Sequence, residues 1–167
     1  MASPAPPLRE QRRERLLAWF AHYDADHQHP RNRQLHLLCV PLILWSVAAL
    51  LWTLPVPGTW LKPGSWAVLA MFLAWSFYWR HSRPLGAGML AVFALIAASL
   101  WGLHGALGSP RLALLAASVF VLAWIGQFYG HHLEGRRPSF LTDLVYLLIG
   151  PAWVLGKGYR RVGWPLA

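Results

Sequence analysis

The sequence predicts an all-α integral membrane protein, a helical bundle with about four transmembrane helices. Of its 167 residues, 56% are hydrophobic and only 13% are charged, whereas a soluble domain carries about 25% charged residues. Eleven tryptophans agree with this class, because indole rings favour the membrane–water interface. The length suits one domain. We therefore predict a disordered tail at residues 1–8 and a single membrane-embedded helical domain at residues 9–167.

The domain begins with an amphipathic stretch at residues 8–23. Leu16, Trp19 and Phe20 lie there among several arginines. A basic polar face beside an aromatic apolar face is typical of a helix that lies in the membrane interface. An ordinary surface helix packed on the domain has the same pattern, so both interpretations stay open.

Four apolar runs follow, and each is nearly free of charge. A helix of about 20 residues crosses the hydrocarbon core of a bilayer. The runs are separated by the Pro- and Gly-rich LPVPGTWLKPG, the basic RHSRP and the tight turn GSPR, all of which are typical of turns and loops. Pro30 suits the first turn of the first helix. The predicted spans are residues 35–54, 64–79, 85–107 and 112–130.

The last apolar run, LVYLLIGPAWVLG, is short and is interrupted by Gly150 and Pro151. It predicts a C-terminal interfacial or re-entrant helix rather than a fifth crossing. With four crossings and the N-terminus inside, thirteen of the 15 lysines and arginines lie inside, in agreement with the positive-inside rule. The sequence thus predicts a protein of a bacterial inner membrane or an ER-like membrane, with its N-terminus in the cytoplasm.

The net charge of +9 does not indicate a nucleic-acid partner. The basic residues form short clusters between apolar runs, which is the pattern of cytoplasmic loops and of contacts with anionic lipid headgroups. The expected partner of these charges is the bilayer. The one cysteine, Cys39, lies inside an apolar run and excludes both an intrachain disulfide and a cysteine-based zinc site.

Two polar stretches, nearly a hundred residues apart, should meet at the cytoplasmic membrane face. HYDADHQHPRNRQLH, at residues 22–36, contains four of the eight histidines, and GHHLEGRR occupies residues 130–137. Four crossings bring the second stretch back to the side of the first. Polar groups at this depth are costly unless they have a function, so the two stretches predict one shared site.

The spacing within each stretch supports this site. Asn32 and His36 are four residues apart and share a helix face. Gln127, His131 and Glu134 have the spacing i, i+4, i+7 and also share a face. Two histidines and one carboxylate with open positions are typical of non-haem Fe(II) oxygenases. Three or more histidines also suit zinc, so the residue types leave both metals open.

The eight histidines differ in their expected roles. His81 and His104 have no partner motif and are expected to be interfacial side chains, and His22 and His29 are weaker ligand candidates. His132 follows His131 directly, points about 100° away on a helix and is an alternate ligand or a support for one. The predicted metal ligands are His27, His36, His131 and His132.

The motifs themselves resemble a known family. The pattern Tyr23-x3-His27-x4-Asn32-x3-His36-x4-Pro41 is followed by GQFYGHHLEGRRPSF at residues 126–140 and by DLVYLLIGP at residues 143–151. Over roughly residues 16–157, the chain resembles the 2-hydroxy fatty acid dioxygenases, small membrane proteins formerly grouped as a domain of unknown function. The sequence departs from the more phenylalanine-rich fungal form near Glu134.

This resemblance implies Fe(II)-dependent α-oxidation. A 2-hydroxy fatty acid would react with O2, lose its carboxyl carbon as CO2 and leave a fatty acid one carbon shorter, a reaction that serves phytosphingosine breakdown in fungi. The family's essential histidines correspond to His27, His36 and His131, and Glu134 is the predicted catalytic carboxylate. Glu134 also has a structural interpretation, in which its carboxylate pairs with nearby arginines. The residues expected to support the ligands or contact substrate are Tyr23, Asn32, Gln127 and Arg137.

Two other functions fit the same residues. A zinc-dependent membrane lipid hydrolase would bind Zn2+ at the histidines and need no O2. A non-catalytic lipid-binding membrane protein would use them for packing or pH sensing. Bound metal would distinguish the two enzymes from the non-catalytic lipid-binding protein. A requirement for O2 would distinguish the iron dioxygenase from the zinc hydrolase.

Overall fold

The computed structural model describes residues 7–58, 60–138 and 143–166. Within these ranges the chain is entirely helical apart from turns, which confirms the all-α prediction. Residues 1–6 of the predicted tail lie outside the described residues, and the first helix already begins at Leu8. The helices are α1 (Leu8–Ala25), α2 (Pro30–Thr53), α3 (Ser65–His81), α4 (Arg83–Glu134) and α5 (Tyr146–Arg161).

Local sequence explains where the helices begin and end. Pro30 occupies the first turn of α2 as predicted, where its missing N–H is not needed. RHSRP, predicted as a loop, is reduced to a single break at Ser82, whose Oγ accepts a hydrogen bond from the backbone N–H of Leu85 (3.1 Å). That N-terminal cap lets α4 start directly after α3. Gly135, with φ 71°, ends α4 in the left-handed conformation.

The 52 residues of α4 fold back on themselves. A straight helix of this length would be about 78 Å long, but both of its ends lie beside α1 and α5. The Tyr159 hydroxyl donates to the Pro84 carbonyl near the start of α4 (2.8 Å), and Glu134 at its end accepts from the His29 N–H (2.8 Å). The reversal lies at Gly108, whose φ of 72° and ψ of 168° are not helical. The predicted spans 85–107 and 112–130 are therefore the two arms of α4.

The second arm of α4 approaches α2 through glycines. A Cβ atom built on Gly130 would overlap the side-chain oxygen of Asn32, and one built on Gly126 would lie 2.7 Å from Cys39 Sγ. The two glycines therefore permit a close approach of the helices. This contact places the end of α4 against the beginning of α2.

Replacing Gly130 by alanine is expected to lower thermal stability. Overpacking of a close contact costs about 1–3 kcal/mol, which exceeds the roughly 1 kcal/mol that alanine gains over glycine in a helix. Thermal unfolding of the purified protein measures the difference. Gly102→Ala is the matched control, since it lies in the same helix with no atom near a new Cβ, and it should be neutral or stabilising. Equal behaviour of the two variants would contradict the close packing.

The outer faces of the bundle are apolar. Leu95, Trp101, Leu114 and Leu122 are each more than two-thirds exposed, and contiguous apolar surface of this kind marks contact with a membrane or another protein. Both α2 and α4 are long and apolar enough to cross a membrane. α3 has 17 residues and so extends about 25 Å, slightly less than the ~30 Å of the hydrocarbon core. Four crossings remain a prediction, in which α4 crosses twice.

α1 and α5 cover one end of the bundle. Leu16, Phe20 and Tyr23 of α1 are buried, which favours a helix packed on the domain over one whose apolar face lies in lipid. Asp24 joins the two helices by accepting hydrogen bonds from Trp153 Nε1 (2.8 Å) and Lys157 Nζ (2.7 Å). Burial raises the pKa of Asp24, but these hydrogen bonds and the positive charges of α5 outweigh it and hold the pKa below its usual value. The carboxylate therefore stays ionised and keeps α5 against α1.

Candidate metal centre

Three buried histidines converge at the end of the bundle that α1 and α5 cover. His27 lies in the connection between α1 and α2, His36 in the second turn of α2, and His131 in the last turn of α4. One ring nitrogen from each lies within 4.8 Å of the other two. The predicted meeting of the two polar stretches is thus confirmed, because the reversal of α4 returns His131 to the beginning of α2.

The hydrogen bonds of the rings leave nitrogens free for a ligand. His27 Nδ1 donates to the Tyr23 carbonyl (2.6 Å) and His36 Nδ1 donates to the Asn32 carbonyl (3.0 Å), which fixes the proton on Nδ1 and the lone pair on Nε2. Nε2 of His27 and Nδ1 of His131 are buried without a hydrogen-bond partner. Buried polar atoms without partners are costly, and a metal ion would satisfy them. The residues present therefore fit a metal.

The surroundings of His27 keep its ring neutral and in place. Burial lowers its pKa, against the opposing effect of its hydrogen bond to Tyr23 and of nearby carboxylates, and only a neutral imidazole binds a metal. Tyr23 stacks on the ring with centroids 4.1 Å apart, and Trp153 of α5 lies 5.7 Å away. Arg33 donates from Nε and Nη2 to the His27 carbonyl (3.3 and 3.2 Å). Both the ring and the backbone of His27 are thus held from several sides.

Glu134 lies beside the histidines but faces the beginning of α2. Its carboxylate accepts hydrogen bonds from the backbone N–H groups of Gln28 (2.9 Å) and His29 (2.8 Å) and from Asn32 Nδ2 (3.0 Å). Both oxygens are therefore engaged, and a negative charge at a helix N-terminus is favourable. The carboxylate joins the end of α4 to the connection that carries His27.

The remaining predicted histidines lie outside the cluster. His132 is exposed, and His22 lies 3.5 Å from Asp26 with most of its side chain in solvent. His81 bonds to the Phe77 carbonyl (2.8 Å) and His104 to Ser109 Oγ (2.9 Å). His29 contributes its backbone to the Glu134 contact, and its Nδ1 is buried without a hydrogen-bond partner.

The predicted arginine is not at the site either. Arg137 is exposed, whereas its neighbour Arg136 donates to the Ala25 carbonyl and to Asp26 (both 3.2 Å). Arg136 therefore holds α1 against the end of α4. A contact between Arg137 and the substrate or the ligands stays a prediction, and the exposed position of this side chain does not support it.

An apolar cavity of about 440 Å³ opens from the three histidines into the bundle. Apart from these rings, the lining residues with polar side-chain atoms are Tyr23, Tyr146, Gln127 and Trp124. Gln127 is buried, with 5% of its surface exposed. Tyr23 and Gln127 thus line the same cavity as the histidines, and their roles stay predictions. A polar end and a long apolar body are what an amphipathic lipid requires.

Sequence reasoning missed several supports of the site. The contact of Arg33 with the His27 carbonyl was not predicted, and nothing in the pattern linked Trp153 or Tyr146 of the last apolar run to the histidines. The one available signal was that DLVYLLIGPAWVLG combines aromatic residues with a run too short to cross a membrane. Such a run is free to fold back over one end of a bundle.

Comparison with known proteins agrees with this geometry. The chain matches the family described as 2-hydroxy-palmitic acid dioxygenase Mpo1-like over residues 14–162. It is 29% identical over 146 residues to the 2-hydroxy-palmitic acid dioxygenase MPO1 of Saccharomyces cerevisiae, an alignment that covers 84% of this chain and 78% of the yeast protein. No solved structure matches the chain significantly. The family match includes His27, His36 and His131 together with the helices that hold them, and the chain therefore belongs to the Mpo1-like family of 2-hydroxy-palmitic acid dioxygenases.

Proposed function

We propose that this protein is an Fe(II)-dependent dioxygenase that carries out α-oxidation of 2-hydroxy fatty acids. The observation that carries the proposal is the buried cluster of His27, His36 and His131 at the mouth of an apolar cavity. In the balanced reaction, a 2-hydroxy acid and O2 yield a fatty acid one carbon shorter, CO2 and water. The bond between the carboxyl carbon and C2 breaks, C2 is oxidised to the new carboxyl group, and O2 is reduced.

The three imidazoles would hold the iron. Three neutral histidine ligands suit Fe(II) as well as Zn2+, and the family membership favours iron. Bound Fe(II) would supply the redox chemistry that allows O2 to react with an otherwise unreactive 2-hydroxy acid. The chain's part is to present three oriented lone pairs and to exclude water from the reacting atoms.

Other residues would bind and orient the substrate. Gln127 offers an amide donor and acceptor beside His131, suited to the carboxyl or hydroxyl group of the acid. Burial raises the pKa of Tyr23 far above neutral pH, so its phenol remains protonated and can donate. The apolar walls would take the acyl chain. Glu134, with both oxygens engaged, holds the ligand-bearing segments rather than moving a proton.

The site also suits a membrane substrate. We infer that α2, α3 and the two arms of α4 cross the bilayer, with the N-terminus and the histidines at the cytoplasmic face. The apolar exterior of the bundle and the distribution of lysine and arginine support this orientation. A fatty acid in the inner leaflet would then reach the cavity with its headgroup at the depth of the histidines.

Purified protein loaded with Fe(II) is expected to consume O2 when 2-hydroxypalmitate is added and to release CO2 in equal amount. Mass spectrometry should show pentadecanoate as the product. Palmitate, which lacks the hydroxyl group, is the matched control and should cause no uptake. A zinc-loaded protein that cleaves lipids without O2 would contradict the iron proposal and support the hydrolase. Absence of any transition metal from carefully prepared protein would contradict both.

A further inference from the structure

The shape of the cavity contains information about the substrate beyond its headgroup. Along α2, the lining side chains recur every three or four residues from His36 to Leu51, a distance of about 22 Å along the helix axis. A cavity of about 440 Å³ with this length and an apolar lining suits an extended acyl chain.

Small side chains create this space. On α3, Ala67, Ala70 and Ala74 share one face and all line the cavity, and Ala48 of α2 lines it as well. Large apolar residues usually occupy the inward face of such a helix. Alanines at these positions leave a channel where leucines would fill it.

The direction of α3 gives these alanines an order. The Gly64 N–H, just before α3, bonds to the Trp52 carbonyl at the end of α2 (3.1 Å), and Tyr78 near the end of α3 bonds to the Leu148 carbonyl of α5 (2.8 Å). α3 therefore runs from the far end of the cavity towards the histidines. Ala67 lies deepest, and Ala70 is about 4.5 Å nearer to the histidines along the helix axis.

We propose that the alanines of α3 determine which acyl-chain length the protein accepts, with Ala67 at the far end of the channel. The inference rests on the proposed function and deepens it, since it assigns the residues that set the length of the acyl chain. Ala48 and Ala67, at the far end of the channel, are buried. Each methylene group that enters the channel contributes about fourfold in affinity, and a methylene group beyond its end contributes nothing.

The test measures binding and turnover separately across a graded series of chain lengths, from laurate length to stearate length. Binding is measured with non-hydroxylated fatty acids, which do not react, by displacement of a fluorescent fatty acid from protein in nanodiscs. Turnover is measured as O2 uptake with the matching 2-hydroxy acids. The wild-type affinity should rise with each added methylene group and then level off at a limiting length.

The variants should move this limit in a graded way. Ala67→Leu should shorten the limiting length, and Ala70→Leu should shorten it further because it blocks the channel nearer to the histidines. Leu51→Ala should lengthen it, a gain that loss of folding cannot produce. Ala94→Leu is the matched control, because Ala94 is exposed on α4 and outside the cavity, and it should leave the limit unchanged.

Two outcomes would overturn the proposal. One is a uniform loss of affinity for all chain lengths, and the other is an unchanged limiting chain length in Ala67→Leu, Ala70→Leu and Leu51→Ala. Failure of the proposed function looks different. If the limit for binding shifts as expected but no 2-hydroxy acid causes O2 uptake, the channel assignment stands and the oxidation does not. If oxidation occurs with the same limiting chain length in every variant, the proposed function stands and the channel assignment does not.

Discussion

A His131→Ala protein is expected to purify without its transition metal and to cause no O2 uptake with 2-hydroxypalmitate. Removing one of the three imidazoles leaves only His27 and His36 of the cluster, too few ligands to hold an ion tightly. Loss of a group that merely supports a ligand costs about 10–100-fold in metal affinity, so loss of a ligand should cost at least as much. Elemental analysis together with O2 uptake measures both effects.

The adjacent residue provides the control for this experiment. His132 is exposed and outside the cluster, so His132→Ala should retain both metal and activity. The sequence predicted His132 as a possible ligand, and the comparison of the two variants tests that prediction directly. Loss of metal in His132→Ala, or full metal content in His131→Ala, would contradict the assignment made here.

A Glu134→Ala protein is expected to be less stable and to bind metal more weakly, although Glu134 is not among the clustered residues. The change removes the acceptor for two backbone N–H groups and for Asn32 Nδ2. Leaving a partly buried donor without a partner costs about 1–3 kcal/mol, which lowers the melting temperature by roughly 5 °C in a protein of this size. Because the freed segment carries His27 and leads to His36, metal affinity should also fall about 10–100-fold.

The measurements are thermal unfolding and metal titration, with Glu14→Ala as the control because Glu14 is exposed on α1. Glu134→Gln should be intermediate in both stability and metal affinity. The amide oxygen of glutamine still accepts from one or two of the three donors, but its NH2 group is itself a donor and cannot bond to the remaining one. A Glu134→Ala protein with normal stability and normal metal content but no turnover would show that this carboxylate takes part in the chemistry. That outcome would restore the catalytic role that the sequence suggested.

The sequence predicted the helices well because apolar length and turn residues are local properties. The spans at 35–54 and 64–79 lie almost entirely within α2 and α3, and Pro30 begins α2. The two predicted spans within α4 were separated correctly, because the turn predicted at GSPR begins at Gly108, where the chain reverses. Glycine adopts the positive φ of this turn readily.

The three clustered histidines were predictable because topology places their segments on one side. The contacts of Glu134 were not, since its partners include backbone N–H groups of Gln28 and His29, and a sequence pattern does not show which backbone groups lack an acceptor. The cavity was also not predictable. It depends on Ala67 and Ala70 facing inward, and a hydropathy profile treats them simply as apolar residues.

The reversal of α4 also determines when the three histidines can come together during synthesis. His36 leaves the ribosome 95 residues before His131, an interval of about 5–20 s at ordinary rates of synthesis. Throughout this time the nascent chain holds two imidazoles, and the third arrives only after the hairpin at Gly108 has formed. Any metal held by all three histidines is therefore bound only after His131 has been made and α4 has folded back at Gly108.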